Sequence, residues 1–296
     1  MSKKRIALVT GDGAAPEMMR VATMIAREAA LIDGIEIEFV ETPMGWNAYH
    51  LFGDTMPEAS LKAATELGIL FFGGVGDFVN DDTIGIDKPE MKPEARCLLT
   101  LRHKWGLLVN FRPVIYYKSL FNLARVKINQ EDFPEEGIRQ IWVRFLLQDS
   151  YFGNQDLLPR FSPLLAREIG IKKKAEVNGH EEIVVDMAYY MRETLEKFFR
   201  AVFQHAKELS LPVISVNKRN VLARYEFWAR VCNHIQGTEF PEIYLQHLYV
   251  DSANSLLFNP AKLNAVIACG NEHGDILSDG AAEAMEIGRA SCRERV

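Results

Sequence analysis

Two aspartates four positions apart, Asp275 and Asp279, close the run Gly270-Asn271-Glu272-His273-Gly274-Asp275-Ile276-Leu277-Ser278-Asp279. On a helix, residues i and i+4 share a face, so the two carboxylates come within reach of one divalent cation. Hard oxygen donors suit Mg²⁺ or Mn²⁺. A charged, solvated helix face carries such pairs equally well. The position favours a ligand, because the apolar run Ala265–Cys269 comes directly before, and α/β folds bind ligands beyond the carboxyl ends of their strands. A second run, Ile69–Phe72, leads into Gly73-Gly74-Val75-Gly76-Asp77. There the glycines permit either close approach of backbone to a ligand or a plain tight turn. Gly11-Asp12-Gly13 is a third such turn, and it does not make the GxGxxG dinucleotide fingerprint.

These segments need strands and helices to hold them, and apolar runs alternate with amphipathic stretches along the chain. Strands are expected at Arg5–Thr10, Ile35–Val40, Ile69–Phe72, Gln140–Phe145, Ile183–Asp186, Val213–Val216, Tyr244–Val250 and Ala265–Cys269. A helix is expected over Pro16–Leu31, and another ends near Glu208, with Leu195, Phe198, Phe199 and Val202 at helical spacing. The stretch 154–181 shows no period and is expected to be an arm. The class is α/β, with mixed or parallel sheets flanked by helices.

Composition removes several functions. The chain has 296 residues, of which 48% are hydrophobic and 25% charged, which is the range of a soluble globular protein. A formal net charge of -6 argues against nucleic acid as a partner, since phosphate binding needs clustered cations. Cys97, Cys232, Cys269 and Cys292 form no CxxC pair, so neither a zinc site nor a disulfide framework is expected. No run is long and apolar enough for a membrane span and no export signal is evident, so a cytoplasmic location is expected. The segment 286–296, EIGRASCRERV, looks like translated read-through of a sequencing adapter and is set aside from fold reasoning; the alternative is a basic, solvated helix end.

Further motifs fall in one order and spacing: Gly11-Asp12-Gly13 with Pro16-Glu17; Leu101-Arg102, then Asn110-Phe111-Arg112-Pro113; Arg144 with Tyr151; Asn217-Lys218-Arg219-Asn220-Val221-Leu222; Tyr249-Val250-Asp251-Ser252-Ala253; and the GDILSD run. In these the sequence resembles the isocitrate and isopropylmalate dehydrogenase family of β-decarboxylating enzymes, from Met1 to Ala284. The resemblance implies that Arg102, Arg112 and Arg144 clamp the carboxylates of a malate-like 2-hydroxy acid, a task that suits the guanidinium fork. It implies a divalent metal held by Asp275 and Asp279 with Asp251 of a second subunit. It also implies NAD as hydride acceptor, NADP remaining an alternative, with Asn220 near the cofactor. Lys218 and Tyr151 would be the base and acid of the reaction; by themselves they look like a strand-end lysine and an ordinary amphipathic tyrosine. A metal and a cationic clamp nearby would lower the pKa of such a lysine. Lys218 and Asp251 would reach across a subunit interface, so a homodimer with a shared site is implied.

The sequence departs from the family at Phe145-Leu146-Leu147-Gln148-Asp149-Ser150, where the family carries a polar, acidic or glycine-containing stretch. Leu98 and Leu99 are an apolar pair before Arg102, where isopropylmalate enzymes accept the branched alkyl group; a leucine pair on a helix is also ordinary core. No counterpart of the family's glycine-rich adenosine loop follows the GDILSD run, and the chain itself is therefore expected to be inactive. The expected domains are 1–101 with 257–285 on the cofactor side, and 102–256 for substrate and dimerisation. The expected function is oxidative decarboxylation of 3-isopropylmalate in leucine biosynthesis. D-malate, tartrate or isocitrate are rival substrates, and a non-catalytic regulatory subunit is the rival of another class.

Overall fold

The computed structural model describes residues 2–126, 128, 133–150, 155–157, 184–186 and 188–285. These fall into two compact units, one within Met1–Trp105 and the other within Gly106–Arg289.

The first unit is built on a three-stranded parallel sheet in the order β2-β1-β3, with β1 at Ser2–Val9, β2 at Ile35–Glu41 and β3 at Leu70–Phe72. Helices Ala15–Ile32 and Glu58–Leu67 make the parallel crossovers that such pairing requires. Ala7, Val9, Met44, Ala64, Cys97 and Leu101 form its core. Asp12 organises the loops beyond the strand ends. Its buried carboxylate accepts the backbone N–H of Trp46, Asn47 and Gly76, each at 2.8 Å. A charge buried this fully is stable only when several donors are turned toward it. The glycines around it are set by the approach of chain to chain: a Cβ on Gly11, at φ +80°, would lie 2.1 Å from the Gly74 carbonyl oxygen, and one on Gly73 would lie 2.5 Å from that of Thr10.

The second unit carries a five-stranded sheet in the order β4-β5-β10-β8-β9. Here β4 is Val109–Tyr116, β5 Ile138–Phe145, β8 Val213–Asn217, β9 Leu245–Tyr249 and β10 Ala265–Cys269. Only β4 runs antiparallel, against β5. Every residue of β8 and β10 is buried, because both faces of the sheet are covered. On one face Val143, Phe145, Val213, Val266 and Ala268 meet helices Arg192–Leu209 and Ala223–Glu239. Leu195, Phe198, Phe199, Val202, Phe203 and Ala206 supply the first helix's buried stripe, each large side chain contributing roughly 2 kcal/mol by removal from water. On the other face Trp142, Ile214, Val216, Ile267 and Cys269 meet Ala253, Leu257, Leu277 and Ala281. Strands β6 (Gln155–Leu157) and β7 (Val184–Asp186) pair antiparallel as a separate ribbon.

The expected strands and both long helices form within a few residues of the expected bounds. The expected division of the chain differs from the one found. Residues 257–285 belong with the second unit, since β10 lies between β5 and β8 and its helix, Asn271–Met285, packs on β4 and β5. Backbone pairing on both edges of a central strand decides where it belongs. Of the expected arm at 154–181, all but 155–157 lies outside the described residues.

The loop packing around Asp12 gives a stability test. Gly11→Ala should cost about 3 kcal/mol or more in urea unfolding, because backbone would have to move off backbone. Gly13→Ala, at φ +56° with open space around it, should cost about 1 kcal/mol. Equal costs would show that the close approach to Gly74 does not hold.

Candidate active site

Arg144 lies near the end of β5 and is only 2% exposed. Its neighbours Val143 and Phe145 face one core, so strand alternation turns its side chain to the other face, beneath helix Asn271–Met285. Gly274 makes that possible, since a Cβ there would sit 3.0 Å from both Cβ and Cγ of Arg144. The guanidinium is then held twice by that helix: Nε donates to Asn271 Oδ1 at 2.9 Å, and Nη1 is bonded to the Asp275 carboxylate.

Arg112 comes to the same place from β4. The register sets Asn110 opposite Arg144, and Arg112 two residues on is on the same face. Its Nε donates to Asn110 Oδ1 at 2.8 Å, and its Nη1 donates to Ser278 Oγ at 2.8 Å and to Asp279 Oδ1 at 3.3 Å. Its Nη2 lies 2.9 Å from Asp275 Oδ1. Two arginines therefore share Asp275, and the pair Asp275/Asp279 lies on one helix face as its spacing predicts. The carboxylates are 30% and 46% exposed, against 26% for Arg112 and 2% for Arg144, so Arg144 is seated in the fold while Arg112 and both carboxylates stay accessible.

Asn271, buried, ties this group to the turn after β5. Its side-chain amide donates to the carbonyls of Leu146 (2.9 Å) and Gln148 (3.2 Å), and its backbone N–H donates to Asp149 Oδ2 at 3.1 Å. Neither Asn271 nor Asp149 was assigned a role from sequence. The only signals were Asn271's place in the glycine-flanked run and the unusual 145–150 stretch.

Lys218 follows β8, and its ammonium is bonded to the Asp251 carboxylate at the start of helix Val250–Leu256. That hydrogen bond holds the Asp251 carboxyl below the usual carboxylate range. Behind them His247 on β9 faces Asn217 Nδ2 at 3.5 Å and Asn233 Oδ1 at 2.8 Å. Burial, helped by Arg219, pushes its imidazole below the ordinary value of 6.5. His273 is lowered by burial as well, stacked on Tyr225 with its Nδ1 2.8 Å from the phenol oxygen. Asn220 is exposed in the turn that follows Lys218, and Tyr151 lies outside the described residues.

In the first unit, a π-helical turn at Glu94–Leu99 runs into helix Thr100–Lys104, which carries Arg102. Cys97 and Leu101 are buried in the core, while Leu98, Leu99 and Arg102 are partly exposed. A cavity of about 370 Å³ lies beside the glycine loop, lined by Val75, Gly76, Asp77, Phe78, Lys92 and Glu94 among others. Loop and cavity together give that turn a place for a ligand as well as a packing role.

Residues 5–288 match the isocitrate/isopropylmalate dehydrogenase family. The chain belongs to that family. Curated relatives include the 3-isopropylmalate dehydrogenases of Albidiferax ferrireducens, 34% identical over 283 residues (94% of this chain, 71% of that protein), and of Thermotoga maritima, 33% identical over 279 residues (94% and 70%). Among solved structures, an isocitrate dehydrogenase from Methylococcus capsulatus shares the fold at a TM-score of 0.72 and 22% identity, covering 95% of this chain and 71% of that one. A β-decarboxylating dehydrogenase from Thermococcus kodakarensis does so at 0.63 and 23%, covering 95% and 68%. Members of this family are oxidoreductases, and the mixed α/β architecture expected from sequence is the family's fold. No helix among the described residues is long and apolar enough to cross a membrane.

Whether the donor set of this family member suits a divalent cation can be judged from its chemistry. Asp275 and Asp279 present carboxylates on one helix face with partial exposure, as a hard cation requires. Among the described residues of one chain no third His, Cys, Asp or Glu completes the group. Asp251 is placed against Lys218 instead. The two carboxylates fit part of a hard-cation site.

Two outcomes are expected from this geometry. Gly274→Ala should force the helix off Arg144 and cost about 2 kcal/mol in thermal or urea unfolding; an unchanged midpoint would show that the helix does not sit so close. The second concerns pH. Because folding holds His247 and His273 below their ordinary pKa, unfolding takes up protons as pH falls, so their contribution is full above about 6.5 and is lost as pH drops toward the lowered values. Thermal midpoints should fall between pH 7 and pH 5, and His247→Gln should flatten that slope. An unaltered slope would mean that the imidazole is not buried neutral.

Proposed function

We propose that the site in this chain is built for the metal-dependent oxidative decarboxylation of a malate-type 2-hydroxy acid, with hydride transfer to NAD, and that the acid is 3-isopropylmalate. The observation that carries the reading is the seating of Arg112 and Arg144 against Asp275 and Asp279 beyond the ends of β5 and β10. Fixed cations beside outward-facing carboxylates suit a ligand that brings both carboxylates and a metal-chelating hydroxyl. The relatives named 3-isopropylmalate dehydrogenase support the choice of acid, as do the partly exposed Leu98 and Leu99, which offer apolar surface for an alkyl group.

In this mechanism Arg112 and Arg144 bind and orient the substrate carboxylates. A guanidinium has five N–H donors, so one fork serves both an aspartate and a substrate oxygen. Buried and bonded on two sides, Arg144 is preorganised for this and gives up little side-chain freedom on binding. Asp275 and Asp279, with Asp251 from a second copy, would hold Mg²⁺ or Mn²⁺, which when bound polarises the hydroxyl and the neighbouring carboxylate. Lys218, released from Asp251 as the amine, would accept the hydroxyl proton in the oxidation, for which NAD would supply the hydride acceptor, and Tyr151 would return a proton to the enolate carbon once carbon dioxide is lost. The Lys218–Asp251 pair keeps base and ligand adjacent, which suits a site shared in a homodimer. Asn220, exposed in the turn after Lys218, is the residue we assign to cofactor contact. A location in the cytoplasm fits a chain whose described cysteines are all free.

The substrate is tested by calorimetric titration with 3-isopropylmalate, D-malate, tartrate and isocitrate in the presence of Mg²⁺. Binding of 3-isopropylmalate about tenfold or more tighter than isocitrate is expected, the discrimination that a site fitted to an alkyl group gives against an added carboxylate. Preference for isocitrate would overturn the assignment.

A further inference from the structure

The turn after β5 holds an aspartate in a place that costs the fold twice. Asp149 has φ +77°, in the left-handed region that side chains other than glycine, asparagine and aspartate avoid, and it is fully buried. Nothing about a simple turn calls for this, because glycine would adopt the same backbone without strain and without burying a charge. The carboxylate is nevertheless built into a specific set of contacts. Oδ2 accepts the Tyr190 hydroxyl at 2.8 Å and the Asn271 backbone N–H at 3.1 Å, and Oδ1 lies 3.4 Å from Arg224 Nε. Burial between Tyr225 and this carboxylate pushes the Tyr190 phenol well above its usual pKa, so Tyr190 stays a donor. Gly270 leaves the space: a Cβ there would come within 2.6 Å of Asp149 Oδ2 and of the Tyr190 hydroxyl.

What the carboxylate fixes is Asn271, the residue that opens the helix bearing Asp275 and Asp279. Asn271 is held by three bonds to one short turn, its N–H to Asp149 and its side-chain amide to the Leu146 and Gln148 carbonyls. With both amide protons committed, its Oδ1 can only face Arg144, whose Nε it accepts at 2.9 Å. Without Asp149 the Asn271 N–H, one of the unpaired donors at a helix start, has no acceptor in the turn. The helix start is then free to rotate away from Arg144.

The geometry points to Asp149 as a positioning residue: acting through Asn271, it fixes the guanidinium of Arg144 in the orientation that receives a substrate carboxylate. Its functional meaning rests on the reaction proposed above, whereas the orientation itself can be read without any ligand. The Tyr190 hydroxyl, with the Arg224 guanidinium 3.4 Å from the other oxygen, aims the carboxylate at Asn271.

The test uses Asp149→Gly, which removes the acceptor and relieves the backbone, with Asp149→Ala, which removes the acceptor alone, as the second variant should the first not fold. In ligand-free protein, the ¹⁵N–¹H signal of Arg144 Nε, assigned by its loss in Arg144→Lys, should be protected from solvent exchange in the parent. It should lose about tenfold or more of that protection in either variant, as expected when a buried hydrogen bond is no longer held. Unchanged protection would overturn the proposal whatever the protein binds. A carboxylate ligand then adds a second reading. Asp149→Gly should weaken 3-isopropylmalate binding about tenfold in the parent and less than about twofold in an Arg144→Met background, the non-additivity expected of residues acting through one another. Equal weakening in both backgrounds would mean that Asp149 only supports the fold. If the parent binds none of the acids, the proposed substrate fails, and the exchange measurement still decides the role of Asp149.

Discussion

A guanidinium that is 2% exposed cannot stay inside a protein uncompensated, and much of the second unit follows from how Arg144 is compensated. The partner charge is Asp275, the second support is Asn271, and both come from one helix, so that helix must lie against β5 at close range. The chain meets the demand with a glycine at 274 and with β10, which delivers the helix from a position hydrogen-bonded directly to β5. Removing the counterion would strand a buried charge, at a cost of about 3–5 kcal/mol. The ion pair is therefore a constraint on the placing of the helix more than a source of net stability.

The same constraint produces the functional surface. With Asp275 and Asp279 on one face of a helix pinned at its start, both carboxylates are set beyond the sheet edge at fixed height above Arg112 and Arg144. Arg112 is less buried and contacts the helix at Ser278, Asp279 and Asp275, so the clamp spans a full helical turn. Lys218 and Asp251 form a second pair on neighbouring elements of the same unit. Asp251 is more than half exposed while Arg144 is buried.

Much of this was legible in the residues. Ala265–Cys269 was readable as a strand because an unbroken apolar run of that length suits a strand covered on both faces, and the spacing of Asp275 and Asp279 gave their common helix face directly. The arginines were legible only through the family's order of motifs; a lone Arg112 or Arg144 carries no periodic signal. The division into units was misread at 257–285, because membership of a sheet is decided by long-range pairing that a linear pattern does not encode. Asp149 and Asn271 were passed over for a related reason. Each acts through the backbone of a segment more than a hundred residues away, and nothing in a single sequence marks a hydrogen bond of that range. Gly11 and Gly73, seen as possible signs of a ligand, turned out to answer first to the crowding of their own loops.

The central claim is that Asp275 and Asp279, held by Arg112 and Arg144, form a cation site that a 2-hydroxy acid completes. The most direct measurement is the electron paramagnetic resonance titration of Mn²⁺ into the protein, with and without 3-isopropylmalate, in the parent and in Asp275→Asn and Asp279→Asn. The account expects bound Mn²⁺ in the parent, affinity raised by the acid, and loss of roughly tenfold or more in affinity in each variant, in line with removal of a carboxylate ligand. Mn²⁺ binding that is the same in parent and variants, or indifferent to the acid, would contradict it.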